Sequence, residues 1–374
     1  MKKLLCMLIA VMMILSVACF ASAEEASYKI AILTGTTSQG EEEYTAAEQL
    51  LAQYPDIVLH DTYPDAFSSE VETTISKLIA FASDPEVKAI IFVQGVQGAT
   101  SAFTQIKTDL GRDDILLMTG VPAEDPSDIA AVADIVMAND EIGCGYQVAD
   151  LASEWGCDVI VHYSFARHLS YETIVAKRDA MRDTAETYGI EFVERDCPDP
   201  TGDAGMSGAQ AAVLEDVPKV MEEYAGKKVC FYCTNCGLQV ALQQAVVAAI
   251  EDGQEAYYGL PCCPSPFHGF QEAFGLDATY GDIDGAIKNL AQYLDSKGAT
   301  GHFSTWAVPI NMSMINGGFQ YACAYAEGKI EKVDEAYLAE CLGATLDKYT
   351  NAEGETIENY YLIAFDPIDF ADYL

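Results

Sequence analysis

The run VKAIIFV, residues 87–93, is apolar at nearly every position and is flanked by segments of helical length. A strand with one wet face alternates polar and apolar residues. A run this continuous must be covered on both faces, which is the mark of a parallel sheet sandwiched between helices. The same rhythm fills the chain. KIAILTG (29–35), DIVLHDTY (56–63), DILLMTG (114–120) and ADIVMAN (133–139) read as further strands, with helices over 43–54 and 69–83. After a break at 139–143 the pattern restarts. Strands at 158–164, 190–195, 227–233 and 256–260 alternate with helices over 145–154, 172–188, 209–224 and 237–250. Two successive β/α sets predict an α/β fold of two doubly wound, Rossmann-like lobes joined by a hinge. Lobe 1 takes 24–140 plus about 308–330, after a return crossing at HFSTWAVP (302–309), and lobe 2 takes 141–307. Residues 331–374 add a helix and the strand YYLIAF (360–365), with no lobe assigned.

The first residues bear on location. Lys2 and Lys3, the apolar run 4–17 and the small residues Ala21-Ser22-Ala23 form a secretory signal peptide over 1–23, cut after Ala23. Acylation of Cys19 after Ala18 is the alternative. Either way the chain works outside the cytoplasm, secreted or at the cell surface. No later segment reaches the roughly 20 apolar residues of a membrane span. The whole chain has 20 basic and 58 acidic residues, and the mature part, without Lys2 and Lys3, carries −40. Such a polyanion is repelled by nucleic acid and gains nothing from counterion release.

In an open parallel sheet, ligands gather at the carboxyl ends of the strands. On lobe 1 those ends carry Thr36, Ser38, Gln39, Gln94, Gly95, Gln97 and Thr119, with glycines that let backbone amides approach a ligand. On lobe 2, HYSFARHLS places His162, Ser164, Phe165, Arg167 and His168 at a strand end. Arg167 offers a forked donor and Phe165 a stacking face; the plainer reading is an ordinary loop with a solvated arginine. Asn235 and Asp203 precede helices, where capping and ligand contact are both open to them. His268 and Trp306 complete the set. Asp199, Thr201 and Asp203 mimic a calcium loop, but Ala204 and Gln210 stand where it needs Gly and Glu.

Cys230, Cys233 and Cys236 recur at intervals of three, and Cys262 and Cys263 follow. Strand residues three apart point to opposite faces. The fourth cysteine of a bacterial cluster run would fall at Val240. These cysteines therefore read first as small buried hydrophobes. A disulfide among Cys236, Cys262 and Cys263, or a metal set, are the alternatives. GCGYQV (143–148) lacks the third glycine of a dinucleotide fingerprint, and no Walker, nucleophile-elbow or HExxH motif occurs.

The segments KIAILTGTTSQGEEEY, HYSFARHLS, AKRDAMRDTAETYGIEFVE, FYCTNCGLQ, PCCPSPFHGF and HFSTWAVP span most of the mature chain. Through them it resembles the DUF3798 family of secreted bacterial solute-binding-like proteins, with the type I periplasmic-binding fold. The resemblance implies two lobes that trap a solute, and names no ligand. The expectation is a monomeric, non-catalytic solute-binding protein for an ABC-type importer, its partners a membrane permease and a small polar organic ligand. Arg167 with Phe165 and Trp306 suggests an anionic ligand with a ring or apolar part. No cofactor, no metal and no nucleic acid enters. The alternatives are a metal-binding protein or enzyme using the Cys/His set, and a ligand sensor for a membrane receptor.

Overall fold

The computed structural model describes residues 28–374 apart from 38, 39, 68, 201, 263, 264, 268, 278, 279, 352 and 353. The signal peptide, Cys19, Ser38, Gln39 and His268 lie outside the described residues. Lobe 1 begins with strands β1 (Lys29–Thr34), β2 (Val58–Thr62), β3 (Val87–Val93), β4 (Leu116–Gly120) and β5 (Ile135–Asn139). They are joined by helices α1 (Glu41–Gln53), α2 (Val71–Ser83), α3 (Ala99–Thr108) and α4 (Pro126–Val132). Lobe 2 follows as α5 (Glu141–Glu154), β6 (Val159–Ser164), α6 (Glu172–Thr187), β7 (Glu191–Asp196), α7 (Gly205–Glu223), β8 (Val229–Cys233), α8 (Cys236–Glu251), β9 (Ala256–Tyr258), α9 (Phe270–Phe274) and α10 (Ile283–Ser296). The chain ends with β10 (Ser304–Trp306), α11 (Ile310–Ala326), α12 (Glu335–Leu342), β11 (Thr345–Thr350), β12 (Thr356–Ala364) and β13 (Pro367–Asp369).

The larger sheet has the order β11-β12-β5-β4-β3-β1-β2 and the smaller β7-β6-β8-β9. Within these two sheets all pairings are parallel except β11 with β12. VKAIIFV is covered as its composition requires. Ala89, Ile91 and Val93 pack on the α1/α11 side, and Ile90 and Phe92 on the α2/α3 side. The first of these cores continues into the α5/α6 side of lobe 2, whose other face packs on α7, α8 and α10.

Helix α5 starts at Glu141, four residues earlier than the periodicity predicts, because the Asp140 carboxylate accepts the Gly143 N–H at 2.7 Å and caps it. The late strand finds its place in the larger sheet, where Tyr360 to Ile363 run parallel beside β5. The chain then passes between the lobes a third time. β13 pairs antiparallel with β10, Gln147 Nε2 donates to the Phe365 carbonyl at 2.8 Å, and Phe370 is buried in the core of lobe 2.

Candidate functional site

Both sheets reverse their winding direction once, lobe 1 between β1 and β3 and lobe 2 between β6 and β8. Such switch points open a crevice at the strand ends. On lobe 1 it is edged by Thr36, whose hydroxyl donates to Asp65, and by Gln94 and Gly95. Gln94 has φ 52° and Val121, at the end of neighbouring β4, φ 48°. Left-handed backbone at non-glycine residues is strained, and most so for a β-branched side chain. Gly95 is required by contact: a Cβ there would meet Thr119 Oγ1 at 2.4 Å. Thr119 itself is buried, its hydroxyl donating to the Phe92 carbonyl at 3.0 Å.

Next to Thr36, α1 opens with three glutamates. Glu43 is fully buried, one oxygen accepting Asn311 Nδ2 at 3.2 Å and the other, Oε1, without a partner among the described residues. Burial is the main cause that holds its carboxyl above the ordinary glutamate range. Beside it, Tyr280 reaches from lobe 2 to donate to Glu42 Oε1 at 3.3 Å, a direct tie between the lobes.

On lobe 2, Ser164 and Thr234 share a hydrogen bond of 2.8 Å across β6 and β8. Asn235 does two jobs. Its oxygen caps α8 by accepting the Gly237 N–H at 2.9 Å, and its Nδ2 lies 3.0 Å from His168 Nε2. Burial depresses the His168 pKa, so the ring is neutral and accepts from that amide. Arg167 is half-buried and held by Asp199 through Nε–Oδ2 at 2.7 Å and Nη2–Oδ1 at 2.9 Å. Below lies Lys177, 2% exposed and ion-paired with Glu141. Burial alone would push Lys177 down, and the carboxylate beside it more than reverses that.

The structure thus brings Thr36, Gln94 and Gly95 to one switch point and Ser164, Arg167 and Asn235 to the other; Thr119 departs from expectation, because it is fully buried on β4 with its hydroxyl committed to the Phe92 carbonyl. Phe165 differs from expectation. It is 2% exposed within the core of lobe 2, and Arg167 lies over its ring at 5.2 Å, so it supports the arginine and offers no free face. His162 is fully buried two residues down β6, stacked on Tyr232 with centroids 6.0 Å apart, and Trp306 is core at the second crossing. Asp203 is exposed beside the head of α7, which has no side-chain cap. Sequence reasoning passed over Asp199 as a partner for Arg167, the Lys177–Glu141 pair and Glu43. Only Glu43 carried a signal, a glutamate in the first turn after a strand–glycine turn. Cys230 and Cys233 do point to opposite faces, one into each core. Among the described residues no three metal-binding side chains converge, and no helix is long and apolar enough to cross a membrane.

The family model described as "Protein of unknown function (DUF3798)" matches residues 28–304. Two uncharacterized proteins of Treponema pallidum (strain Nichols) are each 36% identical to the chain. One alignment spans 182 residues, 47% of this chain and 81% of that protein; the other spans 163 residues, 42% and 72%. Among solved structures, a putative transcriptional regulator from Clostridium difficile 630 superposes with TM-score 0.80 at 18% identity, over 91% of this chain and 99% of that one. A sugar ABC transporter protein from Actinomyces odontolyticus gives 0.56 at 11% identity, over 93% and 96%. A periplasmic solute-binding protein from Actinobacillus succinogenes with bound D-allose gives 0.50 at 14%, over 84% and 99%. The chain belongs to the DUF3798 family and has the two-lobed α/β fold of type I periplasmic binding proteins.

Proposed function

We propose that this protein is an extracytoplasmic solute-binding protein that closes its two lobes on a small, neutral, polyhydroxylated molecule and hands it to the membrane permease of an ABC importer without chemical change. The observation that carries the reading is the pairing of charges at the two switch points. Arg167 is matched by Asp199 and Lys177 by Glu141, while Glu42, Glu43 and Asp65 add carboxylates opposite. A guanidinium beside a carboxylate presents donors and acceptors side by side, which suits vicinal hydroxyls. A net anion would meet a field already negative. The likeness to a protein holding D-allose agrees in ligand chemistry. The signal peptide expected over 1–23 agrees with a location outside the cytoplasm.

Native mass spectrometry of gently purified protein, followed by thermal shift against pentoses, hexoses, linear polyols and small carboxylates, tests the reading. A copurified or stabilising sugar or polyol supports it. Stabilisation by carboxylates alone overturns the ligand class, and a stoichiometric metal overturns the function.

A further inference from the structure

Cys236 Sγ and Cys262 Sγ lie 3.3 Å apart, joining the first residue of α8 to the loop after β9. The approach is held by other bonds. Gln239, one turn along the same helix face, accepts the Cys262 N–H through Oε1 at 2.7 Å. Gln239 and Gln243, both fully buried, also press against Gly269 at the far end of that loop, where a Cβ would meet their side-chain atoms at 2.7 and 2.9 Å. The two sulfurs have complementary surroundings. Cys236 is exposed at the first residue of a 16-residue helix, where a disulfide reagent can reach it. Cys262 is buried within the field of the Lys177 ammonium. Cys144, which lies in the same Lys177 field, and Cys197 are buried thiols pushed up to about 11 and about 12, chiefly by desolvation.

We propose that Cys236 and Cys262 are a redox-active pair that closes into a disulfide across the mouth of lobe 2. The Cys236 thiolate attacks a small-molecule or protein disulfide, R–S–S–R, and releases one RS⁻. The Cys262 thiolate then attacks the mixed disulfide at the Cys236 sulfur and releases the second. Two protein thiols become one disulfide, and the reagent is reduced to two thiols. The bond ties the Asn235 turn to the loop that runs on to Ser265 and Phe267, the latter packed at a tilt against Tyr280, which contacts Glu42 of lobe 1. Oxidation would therefore stiffen the part of lobe 2 that meets lobe 1, whatever the solute.

The test uses the full mature chain, reduced, desalted and exposed to glutathione disulfide. Remaining thiols are alkylated in denaturant and the digest is mapped without reduction. A Cys236–Cys262 crosslinked peptide in most molecules, with Cys144, Cys197, Cys230 and Cys233 alkylated, is expected. The melting temperature should rise on the order of 5 °C on oxidation, and that rise should vanish in both Cys236→Ser and Cys262→Ala. Alkylation of both Cys236 and Cys262 after oxidation, or a crosslink from Cys236 to Cys263, overturns the proposal. If Cys262→Ala fails to fold, the crosslink map of the wild type and of Cys236→Ser decides alone.

Discussion

Asp199 grips the Arg167 guanidinium along one edge, with two contacts of 2.7 and 2.9 Å, and leaves Nη1 facing Tyr171. The pair bridges the loops that follow β6 and β7, so the residues that would face a solute also hold each other. Removing either partner removes half of a donor–acceptor surface. Arg167→Ala and Asp199→Ala should each weaken a sugar or polyol about tenfold or more by calorimetry. Arg167→Lys should recover only part, because the planar fork is lost. An anionic solute would behave oppositely in one variant: Asp199→Ala would free the arginine and tighten it.

His162 sets a pH dependence. Burial, aided by the positive charges of Arg178 and Lys177, holds its pKa down at about 3. The folded value lies below the unfolded value of about 6.5, so the unfolded chain takes up the proton first. The stability it protects is complete above about pH 6.5 and is lost as pH falls toward 3. At pH 5 the loss from this group is about 2 kcal/mol. Denaturant melts of wild type and His162→Phe from pH 7.5 to 4.5 should diverge, the wild type falling more steeply. Parallel profiles would show that the ring is not buried neutral.

For Glu43 the sign is reversed. Its folded pKa lies above the unfolded value, so the fold is favoured while the group is protonated and loses that contribution as pH rises through the folded value. Glu43→Gln should stabilise the protein at pH 7.5 by about 1 kcal/mol, and the gain should shrink on acidification. Solute affinity should fall in the same variant. A gain in stability with unchanged affinity would take Glu43 out of the site.

The strained backbone at Gln94 makes a separable prediction. Glycine adopts φ near 52° without the cost of about 1 kcal/mol that other residues bear there. Gln94→Gly should keep or raise the melting temperature while lowering affinity severalfold, measured on one preparation. A fall in both would mean that the amide serves the fold rather than the solute.

The lobes were legible because their strands are covered on both faces and therefore carry unbroken apolar runs. Thr345–Thr350 escaped notice because it is an edge strand with no buried residue, and its composition, TLDKYT, looks like a loop. The site was legible as strand ends, since that follows from topology. Its partners were not. Nothing local in DCPDPTGD says that Asp199 turns toward Arg167, 32 residues away, or that Lys177 finds Glu141 across a helix pair. Phe165 was misjudged for a related reason: strand alternation fixes which face a side chain leaves from, but not whether a neighbouring helix has already covered it.

β12 lies beside β5 although some 220 residues separate them in the chain, and Phe370 enters lobe 2 later still. Lobe 2 forms its own sheet from one continuous stretch, β6 to β9, and can assemble as soon as that stretch is made. The larger sheet cannot be finished until residue 364 has left the ribosome. An N-terminal half that waits so long for its last parallel strand folds slowly, by a contact of very high sequence separation. Under the proposed location outside the cytoplasm, that late closure would leave the leading half incompletely folded while the chain is exported.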